Sequence, residues 1–486
     1  MKWLARIFKK HSHSAQNQLP QIFFTNTLSG NKEVFVSLKP GTALLYSCGP
    51  TVYSKVHIGN LRAYIFSDTL ARTLTAAGYR VRRVMNITDV GHLVGDGDRG
   101  EDKMAIGAAR EHTTPESIAE RYTKLFIGDM EDLNVDTDDI TFPHATNYIK
   151  EQIALAKTLE EKGFTYQLED GLYFNTHKFP GYGKLGGLSQ AKLEAGARVE
   201  LVKGKRNPTD FVLWRAAKPN DLQQWDSPWG RGNPGWHIEC SAMSRALLGQ
   251  EIDIHTGGED LAQIHHNNEI AQSEAASNRI FVRYWMHNAF LTMHGEKASK
   301  SVGNVVYLSD IIEKGFHPLS LRYFFLQAHY RTPLSFSWEA LTAAANALER
   351  LWRLSEDIAA ESKRTSTPSE VRNRFLALMR DDLSSPQALS TIWESLKSEE
   401  YTPEEKWGLL ETAEAHFGLL LTNPPTPKAL TEKDLPEEIR SMLAARIKAR
   451  TSRNFEEADR IRADIETAGY CIEDGPEGAI LTKTPL

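Results

Sequence analysis

The sequence predicts an α/β protein: a doubly wound parallel sheet with an insertion, followed by a helical bundle and a small C-terminal unit. Three observations point there. A strand, turn, helix and second strand open the chain, at ALLYSC, HIGN, LRAYIFSDTLARTLTAAGY and VRRVMNI, and this is the first unit of such a sheet. Strand-like runs return in the middle of the chain, at DFVLW, WHIECSAM, EIDIHT and YWMHNAFL. From Leu341 the apolar pattern turns helical, with Leu341, Ala345, Leu348 and Trp352 on one face.

The chain has 486 residues, which suggests roughly three domains. With 41% apolar and 25% charged residues it reads as ordinary globular protein. No apolar run approaches the ~18 residues of a membrane span. The net charge of −6 argues against a chain coated in nucleic-acid-binding charge, although local basic patches remain compatible with it. Three widely spaced cysteines make no disulfide framework and suit a reducing cytoplasm.

In chain order, residues 1–20 begin with the basic, amphipathic MKWLARIFKK, have no signal-peptide core behind it, and read as a mobile tail. Residues 21–113 hold short β-like runs, IFFTN, EVFVSL and ALLYSC, and the first helix. In that helix Leu61, Ile65, Leu70 and Leu74 share a face, and Gly78 stops it. VRRVMNI (Val81–Ile87) is the second strand, and NITDVGHLVGDGDRGEDKM after it reads as a loop beside the site. Residues 114–205 interrupt the α/β pattern with a helix (Tyr148–Lys162) and a β-like GLYFN, so they read as the insertion. The sheet is expected to resume over 206–295, starting with DFVLW (Asp210–Trp214). Residues 296–340 contain a lysine loop, 341–424 a helical bundle, and 425–486 a Pro-rich linker (Thr422–Pro436 around its start) with a small terminal unit. From Arg440 to Arg462 that unit carries seven basic and three acidic residues, in what reads as one basic helix.

The run from Trp236 to Glu269 carries the most chemistry. His265 and Glu269 lie four apart in an expected helix and leave its same face. With Cys240 they supply an imidazole, a carboxylate and a thiolate, the three protein ligand types zinc accepts. Cys48 can supply a fourth ligand, because it ends a strand, where α/β sheets present functional groups. Taken alone, an i,i+4 His/Glu pair is an ordinary surface pair, and a buried cysteine is an ordinary small apolar side chain.

HIGN (His57, Ile58, Gly59, Asn60) sets an imidazole and an amide at a helix N-terminus, a natural phosphate site. GEKASKSVGN places Lys297 and Lys300 in a Ser/Gly loop suited to clamp a triphosphate. Together the two motifs fit adenylation, the attack of a carboxylate on an α-phosphate, which depends on positioning and positive charge.

HIGN with KASKS resembles the paired signatures of class I aminoacyl-tRNA synthetases. YSCGPTVY, NITDV, GWHIECSAM, HTGGEDL, HHNNEIAQSE, LRYFFLQAHYRTPLSFSWE and RNFEEADRIRADI narrow the resemblance to the cysteinyl-tRNA synthetase family, over roughly residues 21–486. That resemblance implies a Rossmann-type catalytic domain, an inserted connective domain and a C-terminal anticodon-binding domain. It implies one zinc per subunit on Cys48, Cys240, His265 and Glu269, and ATP, used with Mg2+, at His57, Asn60, Gly257, Gly258, Asp260, Lys297 and Lys300. Trp236 and His255 would line the substrate pocket, and His57 and Lys300 would carry catalysis. The implied partners are L-cysteine, ATP and tRNA-Cys, and the implied state is a cytoplasmic monomer. Two neighbouring readings go with it: a mycothiol-type ligase that passes cysteine to an amino sugar, and a non-catalytic RNA-binding paralogue. Ala298 departs from the usual loop, where Met is common.

Overall fold

The computed structural model describes residues 19–94, 100–185, 204–293, 296–297, 305–425, 435–468, 470–475 and 478–483. The chain opens with an antiparallel hairpin, β1 (Phe23–Asn26) and β2 (Asn31–Val34). Then come β3 (Thr42–Ser47), α1 (Ile58–Ala76), β4 (Arg80–Met85), α2 (Lys103–Glu111), α3 (Pro115–Asp132) and β5 (Ile140–Thr141). The insertion holds α4 (Ile149–Glu161), β6 (Thr165–Leu168), β7 (Gly171–Phe174), β8 (Phe211–Ala216) and β9 (Gly232–Pro234). The chain returns through α5 (Trp236–Leu247), β10 (Ile252–Gly258), α6 (Glu259–Gln263), α7 (His265–Ser277) and β11 (Val282–Asn288).

The central sheet has five parallel strands in the order β11–β10–β3–β4–β5. The chain winds outward from β3 to β5, then crosses back to β10. The order therefore reverses between β3 and β10, and a crevice opens there at the strand C-termini. Cys48 follows β3 on one side, and Gly257 and Gly258 end β10 on the other. Both sheet faces are covered. Ala43 and Leu45 pack with Leu61, Ile65 and Leu70 of α1, while Leu44 and Tyr46 pack with Met243 and Ile270 on the other side.

Two of the expected sheet strands lie elsewhere. DFVLW forms β8, which belongs to a separate four-stranded antiparallel sheet ordered β6–β7–β8–β9, with Leu172 opposite Trp214. The inserted unit therefore continues past residue 205 to Pro234. Because β5 joins the central sheet, that sheet also extends beyond residue 113. A short apolar run covered on both faces reads alike in either sheet. WHIECSAM is a helix, α5, with His237 to Ser244 all buried. A segment buried all round shows no alternating pattern, so its period does not declare itself.

Beyond the sheet stand β12 (Leu291–Met293), β13 (Glu296–Lys297), α8 (Leu308–Glu313), α9 (Pro318–Leu326) and β14 (Leu334–Phe336). The bundle comprises α10 (Trp338–Ser362), α11 (Glu370–Arg380), α12 (Ser385–Lys397) and α13 (Pro403–Phe417). The terminal unit has its own small core, built on Ile439, Ile461, Ile465 and Ile472. Its basic stretch forms two helices, α14 (Glu437–Thr451) and α15 (Phe455–Thr467), not one. Arg453 turns left-handed between them at φ 60°, and Asn454 caps the second by accepting from Glu457 N at 3.3 Å. A hairpin, β15 (Tyr470–Gly475) and β16 (Gly478–Lys483), closes the unit.

One buried carboxylate ties the sheet to the bundle. Asp68 of α1 meets Arg72 at 2.7 Å, Arg83 at 3.1 Å and Arg322 of α9 at 2.5 Å. Arg322 is fully buried and also donates to the carbonyls of Leu133 and Phe417. Gly418, at φ +58°, leaves room for this: a Cβ there would lie 2.8–2.9 Å from the guanidinium groups of Arg72 and Arg322. Burial alone would raise the Asp68 pKa, but the three arginines outweigh it and hold the carboxyl well below the usual range.

Asp68→Asn is expected to destabilise the chain by ~3 kcal/mol, because it leaves buried guanidinium groups without their counter-charge. Since the folded-state pKa is depressed, this contribution is present above the unfolded carboxylate pKa of ~4 and fades as pH falls toward the folded value. Denaturant midpoints of wild type and variant should differ at neutral pH and converge in acid.

Candidate metal centre and nucleotide cleft

Helical spacing builds the site from two pairs. On α5, Trp236 and Cys240 are four apart and share a face; on α7, so do His265 and Glu269. The two helices are tied where Gln272 Nε2 donates to His237 O at 2.9 Å. Cys48 arrives from β3, and its N–H donates to Thr256 O of β10 at 3.1 Å. The ligand atoms of Cys48, Cys240, His265 and Glu269 all lie within 4.8 Å of one another.

The donor set fits zinc. His265 Nε2 is 3.0 Å from Glu269 Oε1, and Cys48 Sγ is 3.9 Å from the same oxygen. Edges of ~3.3–3.8 Å are what bonds of ~2.0–2.3 Å give in a tetrahedron. In a second overlapping set, Cys48, His255, His266 and Glu269, the ligand atoms also lie within 4.8 Å of one another. The first set has the better access: Cys48, Cys240 and His265 line the cleft, whereas His255 and His266 do not.

Those two histidines instead brace the cluster from behind. His255 Nε2 holds Glu269 Oε2 at 3.0 Å, and its ring stacks on Trp285 at 4.7 Å. His266 Nε2 is 3.3 Å from Cys48 Sγ, while its Nδ1 is 2.7 Å from His287 Nε2. His265 Nδ1 is 2.9 Å from His237 Nδ1. With Nε2 turned to the cluster, the proton of a neutral His265 sits on Nδ1 and is donated to His237. Such outer hydrogen bonds fix ring orientation and tautomer.

Electrostatics pre-charge the cluster. Burial opposes ionisation of Glu269, but His255 and His265 outweigh it and bring its pKa down to about 2. Burial opposes a charge on His265, yet hydrogen bonds to Cys240 and Glu269 hold its pKa at about 10. The hydrogen bond from Cys48 lowers Cys240 to about 6, against its burial. Burial, then the bond to Cys240, pushes Cys48 well above the ordinary thiol range. Without metal, the cluster at neutral pH is a Cys48 thiol, a Cys240 thiolate, a His265 imidazolium and a Glu269 carboxylate.

The adjoining cleft has a volume of about 540 Å3, inside the ~300–1,000 Å3 range of small-molecule sites. His57 sits at the N-cap of α1 in extended conformation, makes no capping hydrogen bond through its side chain, and lines the cleft together with Asn60. Gly258, Asp260 and Trp236 also line the cleft. Gly257 does not line it; a Cβ there would come within 2.8–2.9 Å of His266 and Leu261, so this glycine lets α6 and α7 pack against β10. His255 is fully buried behind Glu269 and is not part of the cleft wall. Lys297 lies on β13 with its backbone paired to Thr292, next to Leu291 of the cleft. Its side chain and Lys300 lie outside the described residues.

Sequence reasoning named His255, but for the substrate pocket, and it missed the other bracing histidines. The doubled His of HHNNE and the His of WMHN were visible signals, but nothing in the spacing says that His287 backs His266. It also missed Asn86, whose Oδ1 accepts from Gly49 N at 2.9 Å and lies 3.6 Å from Cys240 Sγ.

A family profile described as the class I (C) tRNA synthetase catalytic domain matches residues 34–346. A second, the cysteinyl-tRNA ligase anticodon binding domain, matches residues 432–479. A cysteine--tRNA ligase of Treponema denticola is 42% identical over 478 residues, covering 92% of this chain and 97% of that protein. Cysteine--tRNA ligase 1 of Burkholderia lata is 44% identical over 467 residues, covering 93% and 95%. In fold, the chain resembles a Mycobacterium tuberculosis methionyl-tRNA synthetase, with a TM-score of 0.53 and 18% identity over 77% of this chain and 89% of that one. It also resembles the Agrobacterium radiobacter K84 agnB2 LeuRS, with a TM-score of 0.56 and 13% identity over 81% and 86%.

Filling the cluster with zinc requires deprotonated Cys48 and neutral His265. Zinc binding to metal-free protein at neutral pH is therefore expected to release about two protons, and affinity should rise about a hundredfold per pH unit there. Calorimetry in buffers of different ionisation enthalpy counts the protons.

Proposed function

The chain belongs to the cysteinyl-tRNA synthetase family of class I aminoacyl-tRNA synthetases, and on that premise we propose that it activates L-cysteine with ATP and charges tRNA-Cys. In the first step a carboxylate oxygen of cysteine attacks the α-phosphorus of ATP. The bond to the β-phosphate breaks, and pyrophosphate leaves with its Mg2+. In the second step a hydroxyl of the terminal ribose of tRNA attacks the acyl carbon, and AMP leaves. The observation that carries this reading is the opening of the Cys48, Cys240, His265 and Glu269 cluster onto the cleft entered by the α1 N-terminus.

The residues divide the work. The N-terminus of α1 favours the triphosphate through its N–H groups and dipole. His57 and Asn60 extend that field into the cleft, and Gly258 and Asp260, which line the same cleft, are assigned to the nucleotide. Lys297 and Lys300 are assigned to the leaving phosphates, where charge develops in the transition state. Trp236 walls the amino-acid end. Zinc held by the four ligands would supply a soft site for the substrate thiolate. That chemistry suits discrimination against serine, since shape alone separates such near-isosteres only ~10–200-fold. The charging step is assigned to a cytoplasmic monomer, with residues 341–486 holding the tRNA. Cys48 and Cys240, neither in a disulfide, suit a reducing compartment.

Cys240→Ala is expected to abolish zinc retention and lower cysteine-dependent ATP–pyrophosphate exchange at least about a hundredfold, with ATP affinity changed little. Metal analysis alongside exchange kinetics checks both; a wild type purified without zinc, yet fully active, would overturn the metal assignment.

Removal of residues 425–486 should spare exchange but cripple charging of tRNA-Cys and flatten the salt dependence of tRNA binding, because phosphate contacts are lost. Equal tRNA charging by both lengths, or cysteine transfer to an amino sugar instead, would favour the ligase reading over this one.

A further inference from the structure

The loop after Asn86 carries chemistry that the reaction as described does not use. Its two limbs are pinched together. Leu93 bridges Asp102, Lys103 N donates to His92 O at 3.0 Å, and Val94 N donates to Glu101 O at 3.0 Å. Asp102 caps α2 by accepting from Ala105 N at 2.9 Å, which makes Lys103 the first residue of that helix. The pinch sets the His92 and Lys103 side chains side by side, and both line the cleft with Thr51.

The contacts run in one direction. Lys103 Nζ is 2.6 Å from His92 Nε2, and His92 Nδ1 is 2.6 Å from Thr51 Oγ1. An ammonium group can only donate, so Nε2 accepts. The proton of the neutral ring then sits on Nδ1 and is donated to Thr51 Oγ1. The Thr51 oxygen is thereby used as an acceptor on the His92 side, which leaves its own O–H able to donate to a further acceptor. The His92 ring also lies flat against Trp236, with centroids 3.9 Å apart and planes 11° apart, and Trp236 in turn lies 4.3 Å from His265. His92 is only 6% exposed, so this arrangement is not a solvated surface pair.

We propose that Lys103 and His92 are positioning residues for the amino-acid substrate: they hold Thr51 as a directed donor to its carboxylate and hold Trp236 as the wall beside it. The donor stands on the Cys48 side of the cleft, within the same Cys-Gly-Pro-Thr turn, where a substrate whose thiol reaches the cluster presents its carboxylate. The proposal rests on the cysteine-activating reading above. It adds to that reading two residues that act through Thr51 and Trp236, without touching metal or phosphate.

The test is cysteine-dependent ATP–pyrophosphate exchange by the zinc-loaded full chain. Lys103→Met is expected to raise the KM for cysteine about tenfold to a hundredfold, the scale of a lost charge-assisted hydrogen bond, while the KM for ATP stays within about twofold. His92→Phe keeps the ring against Trp236 but cannot relay, and should show the same loss without disturbing α2. Thr51→Ser should stay within about threefold of wild type, whereas Thr51→Val should match Lys103→Met. Combining Lys103→Met with Thr51→Val should cost no more than Thr51→Val alone, because residues acting in series are not additive. An unchanged KM for cysteine in both Lys103→Met and His92→Phe, a loss confined to ATP, or full additivity in the double variant would overturn the positioning role. A wild type lacking cysteine-dependent exchange would overturn the activation reading itself, an outcome distinguishable from failure of the variants alone.

Discussion

A carboxylate removed from water must find its hydrogen bonds inside the protein or cease to be a carboxylate. Glu269 is fully buried, and it keeps its charge because His255 holds one oxygen while the other faces His265. The rest of the cluster depends on that charge. It helps hold His265 protonated in the metal-free state, and the Cys240 thiolate balances the same imidazolium. Behind it, Trp285 and Tyr46 pack on His255, so the anchor of the ligand set is itself set by the sheet. A site braced in this way is organised before a ligand arrives, and preorganisation is where such a site gains most of its selectivity.

The same logic is repeated at larger scale around Asp68. Helix α1 starts at the cleft and carries Asp68 in its middle, where Arg322 of α9 reaches it. Arg322 also holds the chain at Leu133 and Phe417, so one guanidinium joins the helix that opens on the cleft, the end of α3 and the end of the bundle. That joint ties the bundle to the helix that opens on the cleft. With tRNA held along the bundle, as proposed above, its terminal ribose would have to reach the acyl group with ångström precision, and effective molarity falls steeply when such placement is lost.

The cleft wall is assembled from segments distant in the chain. The turn after β3 gives Cys48 and Thr51, the pinched loop gives His92 and Lys103, α5 gives Trp236 and Cys240, and α7 gives His265. A parallel sheet with crossovers allows this, because every strand delivers its following turn to the same edge. The insertion between β5 and α5 leaves the edge intact: its four strands form their own sheet, and the chain re-enters through Gly235 into α5.

Residue chemistry and local spacing made much of this protein legible from sequence. The i,i+4 geometry of His265 and Glu269 is a property of any helix, and a Cys at a strand end is exposed to the crevice by topology. The four candidate ligands could therefore be named, and HIGN could be placed at a helix N-terminus, before any fold was known. The tertiary structure decided what depends on contacts distant in the chain. It put DFVLW in the insertion and made WHIECSAM a helix, because fully buried segments carry no periodicity to read. It also placed His255 behind Glu269, set His287 against His266, and turned an acidic, glycine-rich loop into a pinch presenting His92 and Lys103 to Thr51. Those pairings span 11 to 41 residues, and no local propensity encodes them. They exist only once the sheet and its packed helices have fixed the distances.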